Sequence, residues 1–533
     1  MPRPLQINQT TSVGRASLVV AAMIMVSRLT GFGRTIVTAY FFGRGSATDA
    51  YNAAFNIPNT LAILISGGLL ATGFVPVFTA LLQKGEEDEA RETFRALLTL
   101  VMVGFGAISL ILLALTWTPV GRLLAPGNAE ADVQLYLRTL RILLVAQWVF
   151  VVGGVFAGTF NALRLFLLFS IQPVFFNVGI IVFGVLFARR SDASSIEFQA
   201  WGALAGALVG TVGIMVPSAF RNGLSITPLW APNKEGVRRV FAALGPVVLG
   251  LASGQIIALN LPRAFGKLLD TGATTSLDNA NLLMQVPLDL LASSAAVALL
   301  PTLSRLWIDN DITTMRREFG NALKRNIRFM LFAAAMLWAL SNPLIRLALQ
   351  HGKFGTKDAG ETALVLRCYA LCLPALGAQQ LLARGFYATG RGADVVGIGA
   401  FGLALFFPLG FIGTMLHLPG GAGLALAAAI STSVLSGMLA WKLREQWGTL
   451  GAKNLPQSTI RSLICALLAG FAAWTVAHFV GQVAAPFDSN STPHLLRIVV
   501  RVLVFGLGAV VGGGIWKVLS PKTPKRAGTV GQT

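Results

Sequence analysis

The sequence predicts an all-α, polytopic membrane protein, and three observations carry that prediction. Hydrophobic residues make up 54% of the 533 residues and charged residues only 12%, about half of the ~25% found in soluble domains. The mean hydropathy is +0.69. The apolar residues also fall in runs long enough to cross a bilayer, at about 20 apolar residues per helix, and about fourteen such runs can be drawn. A soluble core of this size would need a far more charged surface. Neither disorder nor a disulfide scaffold fits so apolar a chain with three cysteines.

In order, the predicted spans are 17–43, 50–82, 93–118, 135–160, 163–188, 199–220, 238–268, 276–305, 324–349, 361–388, 393–416, 421–443, 459–482 and 495–518. Residues 1–16 are polar and form an N-terminal segment with Arg3 and Arg15. The run behind them is too long for a signal sequence and ends in no small-residue cleavage site, so it reads as a retained helix. An even number of spans puts both termini on one side. With the N-terminus inside, about 26 Lys and Arg fall on inner segments and about 13 on outer ones. That excess favours cytoplasmic termini. The strongest inner loop, 305–328, carries Arg305, Arg316, Arg317, Lys324, Arg325 and Arg328, whereas Arg189 and Arg190 are a local exception. Much of the net charge of +20 is thereby explained without nucleic acid as a partner.

A faint internal repeat organises the spans. Phe74-Val-Pro76 resembles Leu299-Leu-Pro301, Gly127 answers to Gly352, and Arg164 answers to Arg391, at offsets of 225, 225 and 227 residues. That shift carries the first span onto the seventh. Six spans preserve topology, so the halves are parallel repeats about an axis normal to the membrane. The expected domains are an N-lobe over 17–221, a C-lobe over 222–449, two appended helices over 450–518 and a cytoplasmic tail over 519–533. Two six-helix lobes flanking a cleft is the layout of an alternating-access carrier.

Charge inside the spans marks the candidate site. The first span reads Ser27-Arg28-Leu-Thr-Gly31-Phe-Gly-Arg34. An arginine at the centre of a transmembrane helix costs roughly 2.5–3.5 kcal/mol on insertion scales, so it tends to face water or a partner. Arg28 and Arg34 are six residues apart, about 240° round an ideal helix. They share a face only if Gly31 and Gly33 let the helix bend. Arg34 reads either as a snorkelling arginine or, with Arg28, as lining for an anion, since a planar guanidinium suits phosphate oxygens. Asp49 opens the second span and reads as an acid suited to the helix dipole or as a gate that pairs across the cleft. Asn59 follows Pro58 in the same span. Pro262 breaks the seventh span beside Arg263, a moving gate or an ordinary helix end. Arg367 is a further candidate cavity charge.

Bond chemistry has no visible machinery. The four histidines lack ligand spacing, and the sequence contains no zinc-protease pair, phosphate-binding glycine loop or nucleophile elbow. No catalytic residue, cofactor or metal is expected. Cys368 and Cys372 read as core packing.

The motifs of the first two spans, with Ala47-Thr-Asp49, Ile57-Pro58-Asn59 and Gly73-Phe-Val-Pro76, resemble the MurJ (MviN) family. The likeness continues through Ala125-Pro-Gly127, Asn279-Ala280, Pro287, Leu300-Pro301, His351-Gly-Lys353-Phe354 and Gly385-Phe386-Tyr387. Such proteins belong to the multidrug/oligosaccharidyl-lipid/polysaccharide exporter superfamily and flip lipid II, the polyprenyl-pyrophosphate-linked peptidoglycan precursor, across the bacterial inner membrane. The resemblance implies a cationic central cavity for the pyrophosphate and a groove on the last two helices for the prenyl tail. It makes Arg28 and Arg34 headgroup-binding arginines, Arg263 a match to a frequent family arginine and Asp49 an outer-gate acid; with them Ser27 and Gly31 are assigned to substrate binding, and Asn59 and the helix-breaking Pro262 to the gate. The implied partners are the lipid-linked glycan, membrane lipid, and wall-synthesis or division proteins. The chain departs from the family at Ala62 and Ile63, where two basic residues are usual, at Gly67, where an acid is, and at Leu282, where an arginine is. The alternatives left open are another polyprenyl-linked glycan, a cation exporter of the superfamily, and a non-transporting scaffold of wall synthesis.

Overall fold

The computed structural model describes residues 13–63, 74–123, 125, 129–189, 192–241, 265, 268–451, 454–485 and 494–519. Among them the fold is helical, with one isolated antiparallel bridge between Arg189 and Asp192. The first half contributes α1 (Val13–Phe42), α2 (Ser46–Ile63), α3 (Val75–Gln83), α4 (Glu87–Leu115), the short α5 (Pro119–Leu123), α6 (Glu130–Ala162), α7 (Phe166–Phe187), α8 (Glu197–Leu208) and α9 (Val216–Arg221). The second half contributes α10 (Ala273–Pro287), α11 (Ser294–Ile308), α12 (Ile312–Leu349), α13 (Thr356–Ala370), α14 (Leu373–Ala388), α15 (Gly392–Met415) and α16 (Ala422–Trp447). The chain then adds α17 (Leu455–Ala484) and α18 (His494–Leu519). Among the described residues nine helices are long and apolar enough to cross a membrane, or ten if α13 and α14, bent by 41°, are one span.

The N-terminal boundary differs from the hydropathy reading. α1 already includes residues 13–16, inside the segment assigned as a polar N-terminus. Most of the seventh predicted span, with Pro262 and Arg263, lies outside the described residues, as does Gly67.

The repeat is visible in the element bounds. Adding 225 moves α2 onto α10, α3 onto α11, α4 onto α12, α6 onto the α13–α14 pair and α7 onto α15. The turns correspond as well: Gly85 (φ +77°) and Asn310 (φ +55°) both take the left-handed conformation between equivalent helices, a conformation that glycine and asparagine tolerate best. Within the first half α1 packs on α7, and α6 packs on α2, α4 and α8. Within the second, α12 and α14 pack together and α16 packs on α14 and α15. Small residues bring the helices close: a Cβ on Gly206 would collide with the backbone of Phe175 where α7 and α8 cross.

α12 has 38 residues, about 57 Å at 1.5 Å per residue, nearly twice the ~30 Å hydrocarbon thickness. Its excess is the basic N-terminal portion. Asp311 caps it, accepting from the Thr314 backbone N–H at 3.0 Å and the Thr313 hydroxyl at 2.9 Å, and these bonds hold its carboxyl below the usual carboxylate range. α17 and α18 pair with each other and lie on α12. The seam is alanine-rich, with Ala339 and Leu340 against Ala473 and Ala477, and Phe332 stacks on Trp516 at 4.8 Å.

Candidate functional site

A cavity of about 310 Å³ opens between the two halves, lined by α1, α2, α6, α7 and α10. Helical spacing decides its walls. Asn52, Asn56 and Asn59 recur at i, i+4 and i+7 on α2, and Asp278, Asn281, Leu282 and Gln285 at i, i+3, i+4 and i+7 on α10, so each helix turns one face inward. Gln147 and Asn177 add further amides. Arg34 lines the cavity, its guanidinium 4.9 Å from the Phe55 ring centroid. Among the described lining residues Arg34 and Asp278 are the charged ones. Asn52 spans the halves, its amide donating to the Thr275 hydroxyl at 3.5 Å.

One end of the cleft is sealed. Asp49, on α2, reaches the N-terminus of α10: it accepts from the Gly272 N–H at 2.5 Å, the Thr275 N–H at 2.8 Å and the Thr275 hydroxyl at 2.7 Å. Its partners across the cleft are helix-terminal donors, a favourable place for an anion. Residue 274 is the repeat equivalent of Asp49, so the contact joins repeat-equivalent helix ends. Beside it Arg44, with a side chain 6% exposed, pairs with Glu361 at 2.6 Å and Asp358 at 3.7 Å. The Arg44 Nε also donates to the Gly272 carbonyl at 2.8 Å. The His351-Gly-Lys353 turn completes the seal, the Lys353 N–H donating to the Tyr40 carbonyl at 3.1 Å. Gly352 has φ +61°, and a Cβ there would collide with Tyr40, so the close approach requires glycine.

The other end is held differently. Arg28 forms an ion pair with Asp289, on the π-helical turn Leu288–Ser293 that follows α10. The Ser293 hydroxyl donates to Asp289 at 3.4 Å. The side chains of Arg28 and Asp289 are 53% and 33% exposed.

The predicted residues therefore separate. Arg34 and Asn59 line the cavity. Arg28 points elsewhere, as its 240° offset from Arg34 dictates, and bridges the halves. Ser27 and Gly31 face α7: the Asn177 amide donates to the Ser27 carbonyl at 3.4 Å, and a Cβ on Gly31 would stand 3.5 Å from that amide. Leu282, where the family has an arginine, lies in the cavity wall, while the side chain of Ala62 is outside the described set. Arg367 is not in this cleft; it lines a second cavity beside α17 and α18, because it sits on the side of α13 turned toward α12, where its Nε donates to Ser341 at 2.8 Å. Sequence reading missed Arg44, Asp278 and Asp289. The signal for Arg44 was an arginine between two glycines at a span end.

The comparisons agree with this architecture. The family model described as "Lipid II flippase MurJ" matches residues 38–489. The "Lipid II flippase MurJ" of Burkholderia cenocepacia is 27% identical over 517 residues, covering 93% of this chain and 97% of that protein. The "Probable lipid II flippase MurJ" of Bdellovibrio bacteriovorus is 30% identical over 391 residues, covering 70% and 71%. Among solved structures, "Lipid II flippase MurJ, inward closed conformation" superposes with a TM-score of 0.67 at 20% identity, covering 93% of this chain and 98% of that one. An inward-facing multidrug resistance MATE family transporter of the MOP superfamily superposes at 0.65 and 15% identity, covering 82% and 99%. At such identities the structures speak to the fold, and the family match speaks to membership. The chain belongs to the MurJ family of lipid II flippases.

Proposed function

We propose that this chain moves lipid II from the cytoplasmic to the periplasmic leaflet of the bacterial inner membrane by alternating access, making and breaking no bond. The carrying observation is the Arg34 guanidinium in an amide-lined cavity between two repeat halves, sealed at one end. A fixed cation suits the diphosphate. The carboxamides of Asn52, Asn56, Asn59 and Gln285 both donate and accept, as sugar hydroxyls and peptide groups require.

The basic excess on the predicted inner loops and on the N-terminal part of α12 sets the orientation, with both termini cytoplasmic. The Arg44–Asp49 seal then faces the periplasm, and the Arg28–Asp289 pair closes the cytoplasmic mouth. An incoming diphosphate, with at least two negative charges, competes with the single carboxylate of Asp289 for Arg28. Headgroup entry is thereby coupled to release of the inner contact. Arg263 and Pro262, which lie outside the described residues, are retained in this reading as a further cation and a gate residue on the sequence motif alone. Wall-synthesis or division proteins are the partners this reading implies.

Two experiments test it. In rescue of a depleted flippase and in lipid II translocation by vesicles, Arg34→Ala at matched abundance is expected to lose ten- to a hundredfold, the equivalent of about 1.5–3 kcal/mol for one charge-assisted contact. Arg34→Lys keeps the charge without the fork and should retain part of the activity. Full translocation by Arg34→Ala removes the cationic-site reading, and rescue without translocation favours a scaffold. The second concerns the lipid tail, assigned to α17 and α18. A chain ending at residue 451 is expected to purify as a folded two-lobed protein that does not translocate. If it transports like the full chain, the tail assignment fails.

A further inference from the structure

The central cleft has an aromatic wall for which neither the diphosphate nor the carboxamides account. Tyr51 and Phe55 come from α2, Phe150 from α6 and Phe176 from α7, and all four line the cavity. Tyr51 and Phe55, at i and i+4, stand one above the other on α2, with ring centroids 6.1 Å apart. Phe176 is 6% exposed and holds two neighbours edge-on, Phe55 at 6.0 Å and 70° and Phe150 at 5.0 Å and 65°. Such edge-to-face contacts fix the planes of the outer rings. Phe55 and Phe150 are themselves half-buried, so part of each ring is left on the cavity side. The three elements that carry the row all belong to the first half. Across the cleft α10 presents amides: the Gln285 amide donates to the Asn281 side-chain oxygen at 3.3 Å. One wall is thus apolar and flat, and the other both donates and accepts.

The chemistry of the two walls identifies the part of a ligand that fits between them. A pyranose ring is amphipathic, with C–H groups on its faces and hydroxyls round its edge. A face covers an aromatic ring, and the hydroxyl edge pairs with carboxamides. The position is set by Arg34, whose guanidinium lies 4.9 Å from the Phe55 centroid. A diphosphate held by Arg34 stands beside Phe55, and the group bonded to that diphosphate meets the next rings of the row. At about 310 Å³ the cavity is at the small end of ligand pockets. It therefore suits the sugar next to the diphosphate rather than a whole disaccharide with its peptide.

We propose that Phe150 and Phe55, backed by Phe176 and Tyr51, are the platform on which the diphosphate-linked sugar ring stacks, so that the cleft selects a glycosylated polyprenyl diphosphate over the bare carrier. The inference rests on the reading of Arg34 as the diphosphate ligand and adds a specificity to it. A bare carrier satisfies Arg34 but leaves the aromatic row against water, which disfavours it. The sugar touches the first half by its face and α10 of the second half by its hydroxyls.

The test uses the full chain purified in detergent and native mass spectrometry. The probes are undecaprenyl diphosphate, the same carrier bearing a single N-acetylglucosamine, and phosphatidylcholine. The wild-type chain is expected to retain the glycosylated carrier roughly three- to tenfold better than the bare one, the effect of one ring contact. Phe150→Leu is expected to remove most of that ratio and Phe150→Tyr, which keeps the ring, to preserve it. Arg34→Ala should weaken both carriers alike. Equal retention of the two carriers by the wild-type chain, or an unchanged ratio in Phe150→Leu, overturns the proposal. Failure of the underlying reading has a different signature: neither carrier is retained above phosphatidylcholine, or Arg34→Ala leaves both unchanged, and the proposal then falls with it. If Phe150→Leu does not fold, the wild-type ratio and the ratio in Phe55→Leu decide.

Discussion

The two ends of the central cleft close by different physics. At the Arg44 end a side chain only 6% exposed is paired with Glu361 and Asp358, and Asp49 is saturated by three donors from the opposite half. At the Arg28 end the ion pair seen among the described residues, 53% and 33% exposed, rests on a π-helical turn. A buried, multiply bonded contact is costly to break because each group left behind stays unpaired in low dielectric. An exposed pair is replaced by water at little cost. The comparison teaches that this conformation is locked at one end and latched at the other, so the latch is the side that a substrate can open by competing for one arginine.

The largest expected effect is at the lock. Arg44→Ala leaves Glu361 with the more distant Lys357 ammonium at 3.9 Å and Asp358 with the Gly355 N–H at 2.9 Å, and should destabilise the closed end by up to about 3 kcal/mol. The readout is labelling of Asn52→Cys by a membrane-impermeant thiol reagent added outside, in a chain whose buried Cys368, Cys372 and Cys465 are replaced. Faster labelling is expected; an unchanged rate breaks the comparison at its strong end. Asp49→Asn is next. It preserves shape but loses the charge and turns an amide group toward donors, a loss of about 1.5–3 kcal/mol. Labelling at position 52 should rise to an intermediate level, and a rate above that of Arg44→Ala would make Asp49 the principal lock. The smallest effect is at the latch. A double-mutant cycle on Arg28→Ala and Asp289→Ala, read by thermal stability in detergent, should give a coupling of at most about 1 kcal/mol. Coupling as large as at Arg44 would erase the distinction between the ends.

Much of this molecule is legible in its sequence. Apolar runs mark helices because backbone groups in lipid must bond internally, and the 225-residue offset from three weak matches lands on the observed helix bounds. Asp49 was legible as one of two readings, an acid suited to the helix dipole or a contact across the cleft, and it does reach Gly272 and Thr275 of the other half. Arg34 was legible because charge inside a span is expensive. The offset also puts the partners of Asp49, residues 272 and 275, on either side of its own equivalent, residue 274.

What the sequence alone determined is local: which segments are helices, how they repeat, and which charges cannot face lipid. Only the tertiary structure decided the partners. Arg44 finds Glu361 and Arg28 finds Asp289 across more than 250 residues of chain, and no periodicity carries that information. The same holds for rotation about a helix axis. Arg34 faces the cleft, Arg28 the latch and Arg367 the pocket beside α17 because packing against neighbouring helices fixes how each helix is turned. Hydropathy, identical at every angle, cannot.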